Sequence, residues 1–60
     1  MQLDPFNLTA FKAARRRALR RAQLWHASRL AVQDAGEWRR AWPAIGRAIE
    51  ARLNDEFPAN

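Results

Sequence analysis

Cysteine and tyrosine are absent from this 60-residue chain, and histidine occurs once, as His26. The absence of cysteine excludes a disulfide bond and a thiolate metal site. Ser28 lies two residues after His26, and residues i and i+2 of a helix do not face each other, so the two cannot form a catalytic pair. No other nucleophile–base or metal-ligand set can be assembled. We therefore expect a protein that is not an enzyme and that uses no cofactor, metal or small-molecule substrate.

Long hydrophobic runs are also missing. An uncharged stretch such as Ala22–Ser28 is far shorter than the roughly 20 apolar residues that cross a bilayer. The segment Met1–Pro5 lacks the positive and apolar regions of a secretory signal. These features predict a soluble, cytoplasmic protein. A chain of this length buries only about 60% of its unfolded surface, so without disulfides or metals we expect an oligomer or a protein partner to stabilise it.

Glycine and proline are few, and their positions predict the fold. Neither occurs between Phe6 and Ala35, which indicates one long helix over about residues 8–35. Gly36 has the position of a glycine that ends a helix, and the short turn there predicts a second, antiparallel helix over about residues 37–54. Pro43 either kinks this helix or starts its main part. The predicted fold is a single all-α domain, residues 1–60: an antiparallel helical hairpin with an extended tail, 55–60.

Each predicted helix carries an apolar face. In the first helix, three- and four-residue spacings define what we call the alanine face: Leu8, Phe11, Ala14, Ala18, Ala22, Trp25 and Val32. Its small central residues would allow another helix to approach closely. The second helix has a cleaner stripe of large residues: Trp38, Trp42, Ile45, Ile49 and Leu53. On the same pattern, Glu50 and Asn54 are expected on the face of this helix opposite the stripe.

Acidic residues are scarce beside the arginines. The chain has ten arginines, one lysine and six acids, for a net charge of +5. The densest segment contains five arginines in seven residues without an acid: Arg15, Arg16, Arg17, Arg20 and Arg21. Such a stripe suits the carboxylates of an acidic protein surface or the phosphates of a nucleic acid. A hydrated surface without a partner is the plainest reading. Asp55 and Glu56 form an acidic end that could meet the stripe of a neighbouring copy.

Three tryptophans are many for so small a core. Tryptophan packs in cores and also anchors interfaces. We expect one or the other role for seven residues: Phe11, Trp25, Trp38, Trp42, Ile45, Ile49 and Leu53. The leading functional prediction is a small basic accessory or structural subunit that docks through its Trp/Ile/Ala helix faces onto itself or onto a larger protein assembly, with the arginine stripe facing an acidic surface. The alternative is a nonspecific nucleic-acid-binding protein, and the third is a helix pair on a membrane surface.

Overall fold

Two antiparallel helices form a hairpin in the computed structural model, which describes residues 5–58, with side chains from Leu8 onward. Helix α1 spans Pro5–Ala31 and helix α2 spans Ala35–Glu56. The elongated molecule measures 47 × 23 × 14 Å. The predicted all-α hairpin is therefore confirmed. Residues 1–4 and the end of the tail, residues 59–60, lie outside the described part of the chain. An N-cap at Asp4, which the following Pro5 would favour, therefore stays a prediction.

The turn between the helices differs from the prediction. Helix α1 ends at Ala31 and not at residue 35, and Gly36 lies in the first turn of α2. No described glycine has a positive φ angle, so Gly36 is not a left-handed cap. Side chains define both sides of the turn instead: Arg29 at the end of α1 and Asp34 at the start of α2. Arg29 donates hydrogen bonds to the carbonyls of Val32 and Gln33, and an arginine at this end also suits the helix dipole.

Asp34 is the N-cap of α2. Its backbone is extended (φ −71°, ψ 125°) and its Oδ1 accepts a hydrogen bond from the backbone N–H of Glu37 at 2.9 Å. An Asp cap satisfies one of the N–H groups that a helix start leaves without a partner. Glu37, in the first turn, also has a favourable interaction with the helix dipole. Together these residues start α2 two residues earlier than the position of Gly36 predicts.

Replacement of Asp34 with alanine should therefore weaken the hairpin. Loss of an N-cap costs about 1 kcal/mol, within a range of about 0.5–2 kcal/mol. Urea denaturation followed by circular dichroism measures the change, with Asp55→Ala as a matched loss of an exposed carboxylate inside α2. Equal midpoints for the two variants would contradict a capping role for Asp34.

Helix α2 continues through Pro43 and ends later than predicted. Pro43 neither starts a helix nor interrupts one, because α2 is continuous on both sides of it. The last turn includes Asp55 and Glu56, which were predicted to be extended. Phe57 caps the helix and donates its backbone N–H to the carbonyl of Leu53 at 2.7 Å. The extra turn places Glu56 on the helix, which positions its carboxylate for the contacts described below.

The hydrophobic core is small and lies mainly on α2. Leu53 is 0% exposed and Ile49 is 5% exposed. Trp25 of α1 meets Trp38 of α2 edge to face, with 5.6 Å between ring centroids and 74° between planes. The guanidinium of Arg29 lies 5.5 Å from the centroid of the Trp38 ring, close enough for a cation–π interaction. The core therefore joins the two helices along one side of each and leaves most of their surface exposed.

Candidate interaction surfaces

Helix α1 turns a different face toward α2 than its apolar pattern predicts. Most of the alanine face is exposed, and only its last two members, Trp25 and Val32, are partly buried. The partly buried residues of α1 follow three- and four-residue steps along another side: Arg17, Arg20, Arg21, Leu24, Trp25 and Ser28. Val32, just past the end of the helix, continues the pattern. The helix is thus rotated so that three arginines lie against α2. The carboxylates of α2 give the physical reason.

Glu50 binds two of these arginines. Its Oε1 accepts a hydrogen bond from Nε of Arg21 at 2.8 Å, and its Oε2 accepts one from Nη2 of Arg17 at 3.2 Å. Arg17 also donates to Oδ1 of Asn54 at 2.8 Å. Glu50 and Asn54 therefore face α1, which corrects their predicted place on the opposite face of α2. The bonds to Arg21, and then those to Arg17, lower the pKa of Glu50 below its usual range.

Glu56 binds the third arginine. Nε and Nη2 of Arg20 donate to its two oxygens at 2.8 and 3.1 Å, the bidentate geometry that arginine favours with carboxylates. Arg52, one turn earlier on α2, donates from Nε to Oε2 at 2.9 Å. The hydrogen bonds from Arg20 and Arg52 lower the pKa of Glu56 to about 2. The contact was predicted between neighbouring copies, and the structure makes it within one chain.

Acid should weaken the hairpin because both glutamates bind arginine only when ionised. A carboxylate with a lowered folded-state pKa contributes stability above its unfolded pKa, and that contribution is lost as the pH falls through the folded value. For Glu56 the interval runs from about 4.5 down to about 2, and Glu50 changes in the same direction. Helical circular dichroism during an acid titration should fall in this interval. A Glu50→Gln/Glu56→Gln double variant should lose most of the dependence, and an unchanged profile would contradict the pairing.

An apolar ridge remains on the outside of α1. We define the outer ridge as four residues that the hairpin leaves exposed, at 43, 65, 56 and 59% of their surface: Leu8, Phe11, Leu19 and Leu30. At about 100° per residue they lie within an arc of about 100° on the helix. Every residue from Leu8 to Arg16 is exposed, so α2 does not cover the first half of α1. The same arc also carries Lys12, Arg15, His26 and Arg29. The outer ridge is therefore a surface on which large apolar side chains alternate with polar and cationic ones.

Unpaired cations accompany the ridge. Within residues 8–58 no ion pair involves Lys12, Arg15 or Arg16, and all three are exposed. Helix α1 contains seven cations and no acid over its whole length. The predicted arginine stripe is thus divided into two groups. Arg17, Arg20 and Arg21 bind carboxylates of α2, whereas Arg15 and Arg16 remain available to a partner.

The remaining predicted anchors fall into two groups. Trp25, Trp38, Ile45, Ile49 and Leu53 lie between the helices, whereas Phe11 and Trp42 are exposed. Beside the core, an open groove of about 590 Å³ is lined by Trp25, Pro43, Gly46, Arg47, Glu50, Ala51 and Asn54. The Trp25 ring lies close to the backbone of α2 at Gly46, where an added Cβ would be 3.4 Å from the ring, at van der Waals contact. His26 is exposed, as expected for a surface histidine.

Comparison with known proteins gives no relative for this chain. No known protein family, curated protein or solved structure matches it. Neither described helix has a stretch long and apolar enough to cross a membrane. Any functional conclusion therefore depends on the two surfaces of α1: the inner one, occupied by α2, and the outer ridge.

Proposed function

We propose that this chain is a non-enzymatic interaction protein that docks onto another protein chain through the outer ridge of α1. The exposure of Phe11 and Leu19, at 65 and 56%, is the observation that carries the proposal. Apolar area removed from water contributes about 25 cal/mol per Å². The hairpin forgoes that contribution at the ridge because α2 occupies the opposite side of α1. A docked partner would bury these side chains and so supply the missing free energy of apolar burial.

The cations within and beside the ridge are compatible with such an interface. The aliphatic part of an arginine side chain can lie along apolar surface while its guanidinium stays in water. Arginine is also among the residues that contribute most to binding energy at interfaces. Arg15 and Arg16 have this position relative to Leu19, one helical turn away. Because α1 has no acid, these cations would favour docking surfaces that are neutral or acidic over basic ones.

The pairing of Arg17, Arg20 and Arg21 with carboxylates argues against nucleic acid as the main partner. Phosphates would have to displace Glu50 and Glu56 from arginines that they already bind at 2.8–3.2 Å. Of the six cations in residues 12–21, only Lys12, Arg15 and Arg16 are without a carboxylate partner. Binding of duplex DNA to this segment should therefore show a log–log salt slope of about −2.7, from about −0.9 per phosphate contact. Fluorescence anisotropy of labelled DNA across a salt series measures this slope. Arg39, Arg40 and Arg47 of α2 are exposed and make no described ion pair, so the slope is measured on a variant with glutamine at these three positions. A slope near −5.4 in that variant, which requires all six cations of residues 12–21, would favour nucleic-acid binding instead.

A photo-crosslinking amino acid placed on the ridge tests the docking proposal. The residue should be introduced at Phe11 or Leu19, and at Ala44 as an exposed control on α2, in the organism that makes the protein. Irradiation should give discrete products of higher mass from the two ridge positions and none from Ala44. Absence of products at both ridge positions, or the same products at Ala44, would contradict docking through this face.

A further inference from the structure

We infer that residues 12–21 of α1 form a latent site for duplex DNA, which Glu50 and Glu56 of α2 keep closed by occupying half of its cations. The segment contains one lysine, five arginines and no acid. From residue 12 to residue 21 the helix rises about 14 Å, at about 1.5 Å per residue. Duplex DNA presents about eight phosphates over that length. The charge density of the segment therefore suits a phosphate backbone when the carboxylates are absent.

The two glutamates bind the same arginine atoms that a phosphate would bind. Glu56 accepts from Nε and Nη2 of Arg20, in the bidentate geometry that arginine uses with both carboxylates and phosphates. Glu50 accepts from Nε of Arg21 and from Nη2 of Arg17. Because the glutamates belong to the same chain as the arginines, their effective concentration is high. Phosphates from solution therefore compete for these three arginines at a disadvantage.

The exchange of a carboxylate for a phosphate does not require the core to open. The side chains of Arg17, Arg20 and Arg21 are 26, 31 and 38% exposed, so a phosphate can approach them while Ile49 and Leu53 stay buried. Glutamine is close to glutamate in size but carries no charge. Hydrogen bonds to an ionised acceptor are roughly twice as strong as those between neutral groups. A phosphate should therefore displace a glutamine at either position, although it does not displace the glutamate.

Fluorescence anisotropy of a labelled DNA duplex across a salt series counts the arginines that each glutamine releases. The parent chain for this experiment has glutamine in place of four exposed arginines of α2, because one of them also pairs with Glu56: Arg39, Arg40, Arg47 and Arg52. At about −0.9 per phosphate contact, the log–log slope should steepen by about 1.8 for Glu50→Gln and by about 0.9 for Glu56→Gln. The double glutamine variant should combine the two, for a total of about 2.7.

The same counts predict how strongly salt weakens binding. Between about 50 and 200 mM salt, the affinity of the parent chain should fall about 40-fold, and that of the double glutamine variant about 1,800-fold. Replacement of Arg17, Arg20 and Arg21 with glutamine should remove the whole difference from the double glutamine variant. In the parent chain the same three replacements should change the slope little, because the glutamates already occupy these arginines.

A charge-matched control separates the release of arginines from a general gain in positive charge. Glu37→Gln/Asp55→Asn raises the net charge by two, as the double glutamine variant does. Neither of these acids makes an ion pair among the described residues, so the slope of the control should equal that of the parent chain. Equal slopes for the control and the double glutamine variant would overturn the inference, because Glu50 and Glu56 would not be what keeps the site closed.

A parent slope already near −5.4 would also overturn it, since phosphates would then displace the glutamates freely. Helical circular dichroism checks that each variant keeps the hairpin. If the double glutamine variant loses its helix, Glu56→Gln alone, which frees Arg20, should still steepen the slope by about 0.9. The inference does not depend on what docks onto the outer ridge, because ridge photo-crosslinking tests the proposed function whichever DNA result is obtained.

Discussion

Replacement of Leu53 with alanine is expected to leave most of the chain unfolded at 25 °C. Leu53 has no exposed surface and is one of two buried residues among those described. Truncation of a buried leucine to alanine costs about 2–5 kcal/mol, because transfer free energy is lost and a cavity remains. A core in a chain of this size rarely supplies more than about 3–5 kcal/mol. The helical circular dichroism signal of Leu53→Ala in buffer, followed through a urea titration, measures the effect.

The same substitution at an exposed leucine is the control for this prediction. Leu30 is 59% exposed, so Leu30→Ala in dilute solution should shift the urea midpoint only slightly, as substitutions at exposed positions usually do. A Leu53→Ala variant that unfolds at the same urea concentration as Leu30→Ala would mean that Leu53 is not the centre of the core.

Replacement of Pro43 with alanine is expected to stabilise the hairpin by as much as about 3 kcal/mol. Helix α2 is continuous at Pro43, so alanine can adopt the backbone conformation already present there. The new N–H can donate to the carbonyl of Arg39, and the ring no longer crowds the preceding turn. The gain should appear as a higher urea midpoint with an unchanged slope, which indicates a change in stability alone.

Pro58 gives a matched control, because it lies beyond the end of α2. Pro58→Ala should change the midpoint little, since no helical hydrogen bond is restored. Pro43 also lines the groove beside Trp25. Loss of its packing there would reduce the gain in stability from the restored hydrogen bond. An unchanged or lower midpoint for Pro43→Ala would mean that the packing outweighs the restored hydrogen bond.

The hairpin itself could be predicted because few residues determine it. The absence of glycine and proline between Phe6 and Ala35 and the regular spacing of Ile45, Ile49 and Leu53 indicate two helices and a short turn. The ends of the helices could not be predicted as well. Asp34 competes with Gly36 for the turn, and the choice depends on the hydrogen bond from Glu37 to Asp34 and on the contacts of Arg29 with the last carbonyls of α1.

The orientation of α1 relative to α2 could not be predicted from hydrophobicity alone, because charge pairing decides which side faces inward. The alanine face offers mostly small side chains to bury. Arg17, Arg20 and Arg21 gain carboxylate partners and can still cover α2 with their methylene groups. The sequence does contain a signal for the inward orientation of the arginines: Glu50 and Glu56 lie three residues before and three residues after Leu53 on α2. A helix packed over Leu53 therefore meets two carboxylates, and α1 has arginines at matching three- and four-residue spacings.

The contacts of α1 with α2 in solution test the central claim most directly, because the outer ridge is free only if the arginine side faces inward. Nuclear Overhauser effects in a dilute, isotopically labelled sample report these contacts. The account predicts cross-peaks from the methylene protons of Arg17 and Arg21 to Glu50 and Asn54, and none from Phe11 or Ala18 to any residue of α2. Cross-peaks from Phe11 and Ala18 to Ile49 or Leu53 would contradict it, because the ridge would then be part of the core.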